Sequence, residues 1–115
     1  MIRCELWRDE AGLVRDWLIE GHSGYAEAGS DIVCSAVSVL AITCVNSLEA
    51  LCGIRCDAKD NGNGYLRVIL PTGLDETQQH DARLLTGYLE QGLRDVSNQY
   101  PKYVRVSVKH WRETP

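Results

Sequence analysis

Alternating apolar and polar residues predict two strands at the start of the chain. Over residues 2–7, apolar side chains alternate with charged or aromatic ones, which is the period of a strand with one buried face. A turn at residues 9–12 and a second apolar run at residues 13–20 complete a predicted hairpin. The glycines of residues 21–30 then favour a loop.

A run without charge predicts a long helix after this loop. Residues 31–51 place apolar side chains on all sides of a helical axis, so we expect neighbouring elements to cover most of the helix. Gly53 is expected to end it, because glycine readily adopts the left-handed conformation of a C-cap. The run is short for a bilayer and contains hydroxyl and amide side chains, so we predict a buried helix and no membrane partner.

The second half of the chain predicts three more strands and an amphipathic helix. The Asn-Gly-Asn-Gly sequence of residues 61–64 is typical of a hairpin turn, and Pro71 and Pro101 bound the helical segment. The third strand is predicted from the alternation of Ile54, Cys56 and Ala58, and the inward face of the fourth from Leu66, Val68 and Leu70. The last strand is predicted from Val104, Val106 and Val108. The apolar stripe predicted for the helix is Leu85, Tyr88, Leu89, Gly92, Leu93 and Val96, with Arg83, Glu90, Arg94 and Asp95 on the wet side.

The predicted order is therefore β-β-α-β-β-α-β, an α+β fold with a mostly antiparallel sheet and two helices, one central and buried. With 115 residues, 44% of them hydrophobic, one domain over residues 1–115 can build its core without disulfides or metal. The net charge of −4 argues against a nucleic-acid partner, because phosphate binding depends on clustered Lys and Arg. Five cysteines, and an N-terminus without an apolar leader, predict reduced thiols and a cytoplasmic protein.

One cysteine and one histidine stand at positions suited to nucleophilic catalysis. If Ser30 or Asp31 caps the long helix, Cys34 lies in its first turn, where unpaired N–H groups and the helix dipole favour a thiolate. The same N–H groups, including that of Cys34, could hold the oxyanion of a tetrahedral intermediate. His22 lies upstream in the loop, and its imidazole could take the thiol proton and return it to a leaving amine. Residue types alone also fit a core cysteine and a surface histidine.

Two further polar residues lie near Cys34 along the predicted helix. Asp31 precedes it by about one turn and either orients the imidazolium or caps the helix, capping being the favoured interpretation. Ser38 lies one turn beyond Cys34 and either lines the same groove or packs as an ordinary helix serine.

The segment GHSGYAEAGSDIVCSAVSVL resembles the signature of the ribosomal-processing cysteine protease family, Prp. Chain length and element order resemble the family as well, so the similarity extends over essentially all 115 residues. Ser23 and Ser35 stand where alanine is usual. The residues that match the motif are Gly21, His22, Gly29, Asp31, Ile32, Val33, Cys34 and Ser38.

The resemblance implies a homodimeric cytoplasmic endopeptidase that needs no cofactor and no metal. Its substrate would be the precursor of the large-subunit ribosomal protein L-twenty-seven, from which a short N-terminal extension is removed. By this similarity Cys34 is the nucleophile and His22 the base, while Gly21, Asp31 and Ser38 shape the site or bind the peptide. Net acidity suits a basic ribosomal partner.

The glycine-containing loop, residues 21–30, suggests a hypothesis about control. Because glycines make the loop costly to order, we expect it to close over the substrate peptide and to bring His22 to Cys34 only then. The alternative is a disordered surface loop without a gating role.

Other kinds of site remain open alternatives. The Gly-His-Ser-Gly sequence of residues 21–24 fits a loop that clamps an RNA backbone, in a non-catalytic ribosome- or RNA-binding module, although its flanks are acidic. Cys44, Cys52 and Cys56 lack the spacing of paired zinc knuckles and are better explained as buried thiols. Aromatic residues that either line a peptide groove or simply pack are Tyr25, Trp7, Trp17 and Trp111.

Overall fold

The structure, a computed structural model, describes residues 1–27 and 31–112. Its elements are β1 (Ile2–Arg8), β2 (Val14–Glu20), α1 (Ile32–Cys52), β3 (Asp57–Asp60), β4 (Tyr65–Ile69), α2 (Glu76–Gln99) and β5 (Val104–His110). The strands form one sheet in the order β3-β4-β2-β1-β5, in which β1 and β5 are parallel and the other pairs are antiparallel. The predicted α+β fold with a mostly antiparallel sheet and two helices is confirmed.

The core joins one face of the sheet to both helices. Alternation along β1 turns Ile2, Cys4 and Leu6 toward the helices, and all three are buried. Trp17 of β2 lies in the same core and is fully buried, so it packs and does not line a groove. Each large apolar side chain removed from water here contributes about 1.5–3 kcal/mol of hydrophobic free energy.

Local capping fixes both ends of α1. The Asp31 side chain accepts hydrogen bonds from the first-turn amides, and Gly53 ends the helix at φ 66° and ψ 25°, in the left-handed region. The predicted end near Gly53 is therefore confirmed. By length and composition α1 could cross a membrane, but here it packs against the sheet and α2 as part of the core.

The third strand begins later than the alternation predicts. Ile54 is buried but lies outside β3, which starts at Asp57. The backbone N–H of Ile54 donates to the Leu48 carbonyl at 2.9 Å and so completes the C-terminal cap of α1. The prediction that Ile54 and Cys56 belong to a strand was therefore wrong. Both precede β3, and the helix cap takes the backbone N–H of Ile54 that a strand would need.

Helix exposure also differs from the prediction. Tyr88 is 73% exposed, because the buried stripe of α2 runs through Ala82, Thr86, Leu89 and Leu93. The sheet and α2 cover only one side of α1, and Val39 and Leu51 remain exposed. The prediction that neighbouring elements cover most of this helix was therefore wrong.

Candidate active site

The candidate nucleophile lies on the wall of a pocket between the start of α1 and the β3–β4 hairpin. Cys34 is the third residue of α1 and is partly exposed. The pocket has a volume of about 240 Å³. Of the predicted site residues, Gly21, His22, Cys34 and Ser38 line it together. The other lining residues are Ile2, Ile19, Val37, Ala41, Ile42, Asp60, Gly62, Gly64, Tyr65 and Leu66.

Asp31 caps α1 and does not line this pocket. Its Oδ1 accepts the backbone N–H groups of Val33 and Cys34, each at 3.0 Å. Its Oδ2 accepts the Ser23 hydroxyl. Both carboxylate oxygens are thus used, and among the described residues no hydrogen bond joins Asp31 to His22. The capping interpretation is confirmed.

The charge state of Asp31 follows from these bonds. The side chain is 6% exposed, and burial alone would raise the pKa of its carboxyl group. Hydrogen bonds from Ser23, Cys34 and Val33 outweigh burial and hold that pKa below its ordinary value. A buried carboxylate therefore sits at the start of the helix that carries Cys34.

This arrangement corrects the expectation that the N–H of Cys34 is free for an oxyanion. That group donates to Asp31, as does the N–H of Val33. A loop amide reaches the sulfur: the backbone N–H of Ser23 donates to Cys34 Sγ at 3.5 Å. The N–H groups of Val33 and Cys34 are thus already bonded to Asp31, whereas the thiol accepts a hydrogen bond from a loop amide.

His22 lies on the exposed side of the pocket with its ring against the β3–β4 turn. A Cβ atom placed on Gly64 would lie 2.8 Å from Nε2 and 2.9 Å from Cε1 of the imidazole. The Gly64 carbonyl accepts the Gly21 N–H at 2.8 Å, which ties the loop to the same turn. Within residues 1–27 and 31–112, no hydrogen bond joins the imidazole to Cys34 Sγ.

Gly21 is required by its surroundings. Its φ is +100°, and a Cβ atom there would fall 2.3 Å from the carbonyl oxygen of Met1. A side chain would therefore displace β1 or the loop that carries His22.

The β3–β4 turn is the part of the site that sequence reasoning missed. Gly64 contacts His22, and Asp60, Tyr65 and Leu66 line the pocket, yet their sequence predicted only a hairpin. The second glycine of Asn-Gly-Asn-Gly indicated a close contact at this turn only weakly, because one glycine is enough for many hairpin turns.

The described part of the loop is held from two sides. Ser23 binds Asp31, and the Tyr25 ring packs edge-on against Tyr100 and Tyr103, with centroids 5.6 and 5.3 Å apart. Tyr25 therefore packs against the end of α2 and the segment before β5. Gly29 and Ser30, named in the motif and as a possible cap, lie outside the described residues.

The other cysteines occupy different environments. Burial raises the pKa of Cys4 and of Cys44 to about 12 each, and that of Cys56 to about 11, so these thiols stay protonated near neutral pH. Burial also raises the pKa of Cys52. Within residues 1–27 and 31–112, no three His, Cys, Asp or Glu side chains are grouped so that they could hold a metal ion.

The family model and the named relatives that match this chain place it among the cysteine proteases. The particular family is Cysteine protease Prp, whose family model matches residues 1–105, and the chain belongs to it. The ribosomal processing cysteine protease Prp of Staphylococcus aureus is 26% identical over 112 residues, covering 95% of this chain and 100% of that protein. The Prp of Bacillus subtilis is 28% identical over 109 residues, covering 93% and 96%.

A solved structure shares the fold over nearly the whole chain. It is the crystal structure of the essential ribosomal processing protease Prp from S. aureus in complex with a covalently linked product peptide. Its TM-score is 0.84 at 25% identity, over 95% of this chain and 100% of that one. The resemblance to the Prp family and the prediction of a cysteine protease are confirmed.

Proposed function

We propose that this chain is a cysteine endopeptidase that removes the N-terminal extension of the precursor of ribosomal protein L-twenty-seven, with Cys34 as nucleophile and His22 as general base. The observation that carries the assignment is that both residues line one pocket, at a partly exposed thiol. The relatives' names support the substrate class, since they are ribosomal processing proteases.

The reaction is ordinary acyl transfer. His22 accepts the thiol proton, and Cys34 Sγ attacks the scissile carbonyl carbon, so that a carbon–sulfur bond forms and the carbonyl electron pair moves to oxygen. When this oxyanion collapses, the carbon–nitrogen bond breaks and the imidazolium gives its proton to the leaving amine. Water then hydrolyses the thioester, again with His22 as base. The sequence of steps needs no cofactor.

The remaining predicted residues take supporting roles in this proposal. Gly21 and Ser38 line the pocket beside Cys34 and would contact the bound peptide. Asp31 does not line the pocket and would act on the peptide indirectly, by capping the start of α1. The apolar residues that line the pocket are mainly aliphatic, which suits an apolar side chain of the substrate.

The proposed substrate is tested with a synthetic N-terminal peptide of the host's own L-twenty-seven precursor. We expect the wild type to cut it once, and Cys34→Ala to bind it without cutting. Cys52→Ala is the matched control, because Cys52 does not line the pocket, and it should cleave normally. Cleavage by Cys34→Ala would disprove the role of Cys34 as nucleophile. A host L-twenty-seven without an N-terminal extension would disprove the proposed substrate but would leave the thiol chemistry untouched.

We further propose that the enzyme is a cytoplasmic homodimer. Support for a second copy as partner comes from apolar side chains that remain exposed on both helices. Val39 of α1 and Tyr88 of α2 line one groove of about 290 Å³, with the exposed Leu84 one turn from Tyr88. Adjoining exposed apolar residues of this kind mark interaction surfaces.

A further inference from the structure

Among the described residues, Asp60 is the one carboxylate that lines the pocket of Cys34. It is the last residue of β3 and is exposed. The other lining residues are apolar or uncharged, except that His22 and Cys34 carry the groups that react. Asp60 therefore sets the charge that a bound peptide meets at this pocket.

The strand register turns Asp60 toward the pocket. Asp60 lies opposite Leu66 of β4, and Leu66 lies opposite Ile19 of β2. Residues that lie opposite each other share one face of a sheet, and Leu66 and Ile19 also line the pocket. Neighbouring strands are about 4.8 Å apart, so the row spans about 10 Å. It is an aliphatic surface that ends in a carboxylate on the edge strand β3.

One oxygen of this carboxylate is fixed by the β3–β4 turn. Asp60 Oδ1 accepts the backbone N–H of Gly62 at 2.7 Å. In the part of the chain that the structure describes, no Lys, Arg or His side chain forms an ion pair with Asp60. The adjacent cation, Lys59, lies opposite Arg67 on the other face of the sheet, because strand side chains alternate. The charge of Asp60 is thus oriented and available to a ligand.

We propose that Asp60 determines substrate specificity: its carboxylate binds the ammonium or guanidinium group of a Lys or Arg close to the scissile bond. This inference rests on the proposed function and deepens it. The apolar side chain of the substrate occupies the aliphatic part of the row, while the basic side chain lies at its outer end. The aliphatic stem of Lys or Arg can lie along Leu66 with its charged end at Asp60. An extended peptide advances about 3.3 Å per residue, so a basic residue within about three positions of the scissile bond can reach Asp60.

Peptides of the host's L-twenty-seven cleavage junction test this preference for charge. Each series carries Lys, norleucine or Glu at one position within about three residues of the scissile bond. At one such position we expect the wild type to cleave the Lys peptide with a kcat/KM about fivefold above that of the norleucine peptide, the effect of one exposed ion pair. The Glu peptide should be cleaved most slowly. High salt should weaken the preference, because it screens exposed charges.

Variants of β3 assign the preference to one carboxylate. Asp60→Asn removes the charge but keeps an oxygen for the Gly62 N–H, so it should lose the preference for Lys over norleucine. Asp60→Lys should instead prefer the Glu peptide. Asp57→Asn is the matched control, because Asp57 is an exposed carboxylate of the same strand that does not line the pocket. It should keep the preference for Lys.

Two results would overturn this inference and leave the proposed function intact. One is a wild type that cleaves the Lys and norleucine peptides equally at every position. The other is an Asp60→Asn variant that cleaves all peptides more slowly but keeps the preference for Lys, because Asp60 would then act on His22 or on the turn. A wild type that cleaves none of the peptides would overturn the proposed function and this inference with it.

Discussion

The imidazole of His22 lies directly against Gly64, with no room for a side chain between them. A Cβ atom on Gly64 would approach Nε2 to 2.8 Å, and the Gly64 carbonyl holds the N–H of Gly21. The turn between β3 and β4 is therefore the surface that supports the proposed general base. The imidazole can lie against this turn because Gly64 has no side chain.

Gly64→Ala should displace the imidazole and reduce cleavage. Misplacement of a catalytic group by about 1 Å costs on the order of a hundredfold in rate, so we expect kcat/KM to fall by at least about tenfold. The comparison is Gly73→Ala, which lies outside the pocket and whose Cβ atom would meet nothing within 4 Å. Both glycines have positive φ, +78° and +76°, so each variant loses about 1–2 kcal/mol of stability from the backbone conformation. In Gly64→Ala the Cβ atom would also lie 2.9 Å from the Gly21 carbonyl oxygen. Equal activity in the two variants would show that contact with Gly64 does not position His22.

His22→Ala should separate thiol reactivity from turnover. Because the described residues contain no hydrogen bond between the imidazole and Cys34 Sγ, the base is not engaged in the free protein. We expect iodoacetamide to alkylate Cys34 at nearly the wild-type rate, whereas peptide cleavage falls by about a hundredfold or more. His80→Ala, which changes an exposed histidine paired with Asp81, is the control. A large fall in alkylation would instead mean that the pair is already formed without substrate.

Local patterns predicted much of the fold. The strand period in β1 and the cap residues Asp31 and Gly53 act within a few neighbouring residues, so they could be recognised from the sequence. The contact between His22 and Gly64 could not, because it depends on the pairing of β2 with β4. The second bond of Asp31, to Ser23, likewise depends on how the loop returns to the helix.

Loop closure predicts a change in hydrogen exchange when peptide binds. Ser23 and Tyr25 hold residues 21–27 to the rest of the protein at two points, and a bound peptide would add contacts at Gly21 and His22. With Cys34→Ala, which should bind without cutting, we expect slower exchange in residues 21–27. The amides of β2 serve as the internal reference, and unchanged protection of the loop would rule out closure.

The proposed dimer predicts that a charge in the helix groove produces monomers. Val39 is 64% exposed on α1, and a carboxylate there would have to be desolvated in any interface that covers the groove. We expect Val39→Glu to sediment as a monomer at concentrations where the wild type is a dimer. Leu51→Glu changes an exposed apolar residue of the same helix outside this groove and should remain dimeric. A wild type that is monomeric at all concentrations would refute the proposal.

The environment of Glu90 predicts how the free energy of unfolding depends on pH. Glu90 accepts hydrogen bonds from Arg8 of β1 and from Arg94 one turn along α2, and its side chain is 14% exposed. The bond from Arg8 joins β1 to α2. Burial alone would raise the pKa of Glu90, but hydrogen bonds and charge from the two arginines lower it below 4.5. The folded-state pKa is thus below the unfolded one, so the stabilisation is complete above about pH 4.5 and is lost as pH falls through the folded-state pKa.

Glu90→Gln should therefore lower the free energy of unfolding at neutral pH by about 1–3 kcal/mol, measured by urea denaturation. The difference from the wild type should shrink as the pH falls below 4.5, because the wild type then also loses the charge. Glu49→Gln, which breaks an exposed pair with Arg55, should cost less than about 1 kcal/mol at any pH. If the Glu90→Gln difference stayed constant down to strongly acid pH, the effect would come from packing, and the charge of Glu90 would not be its source.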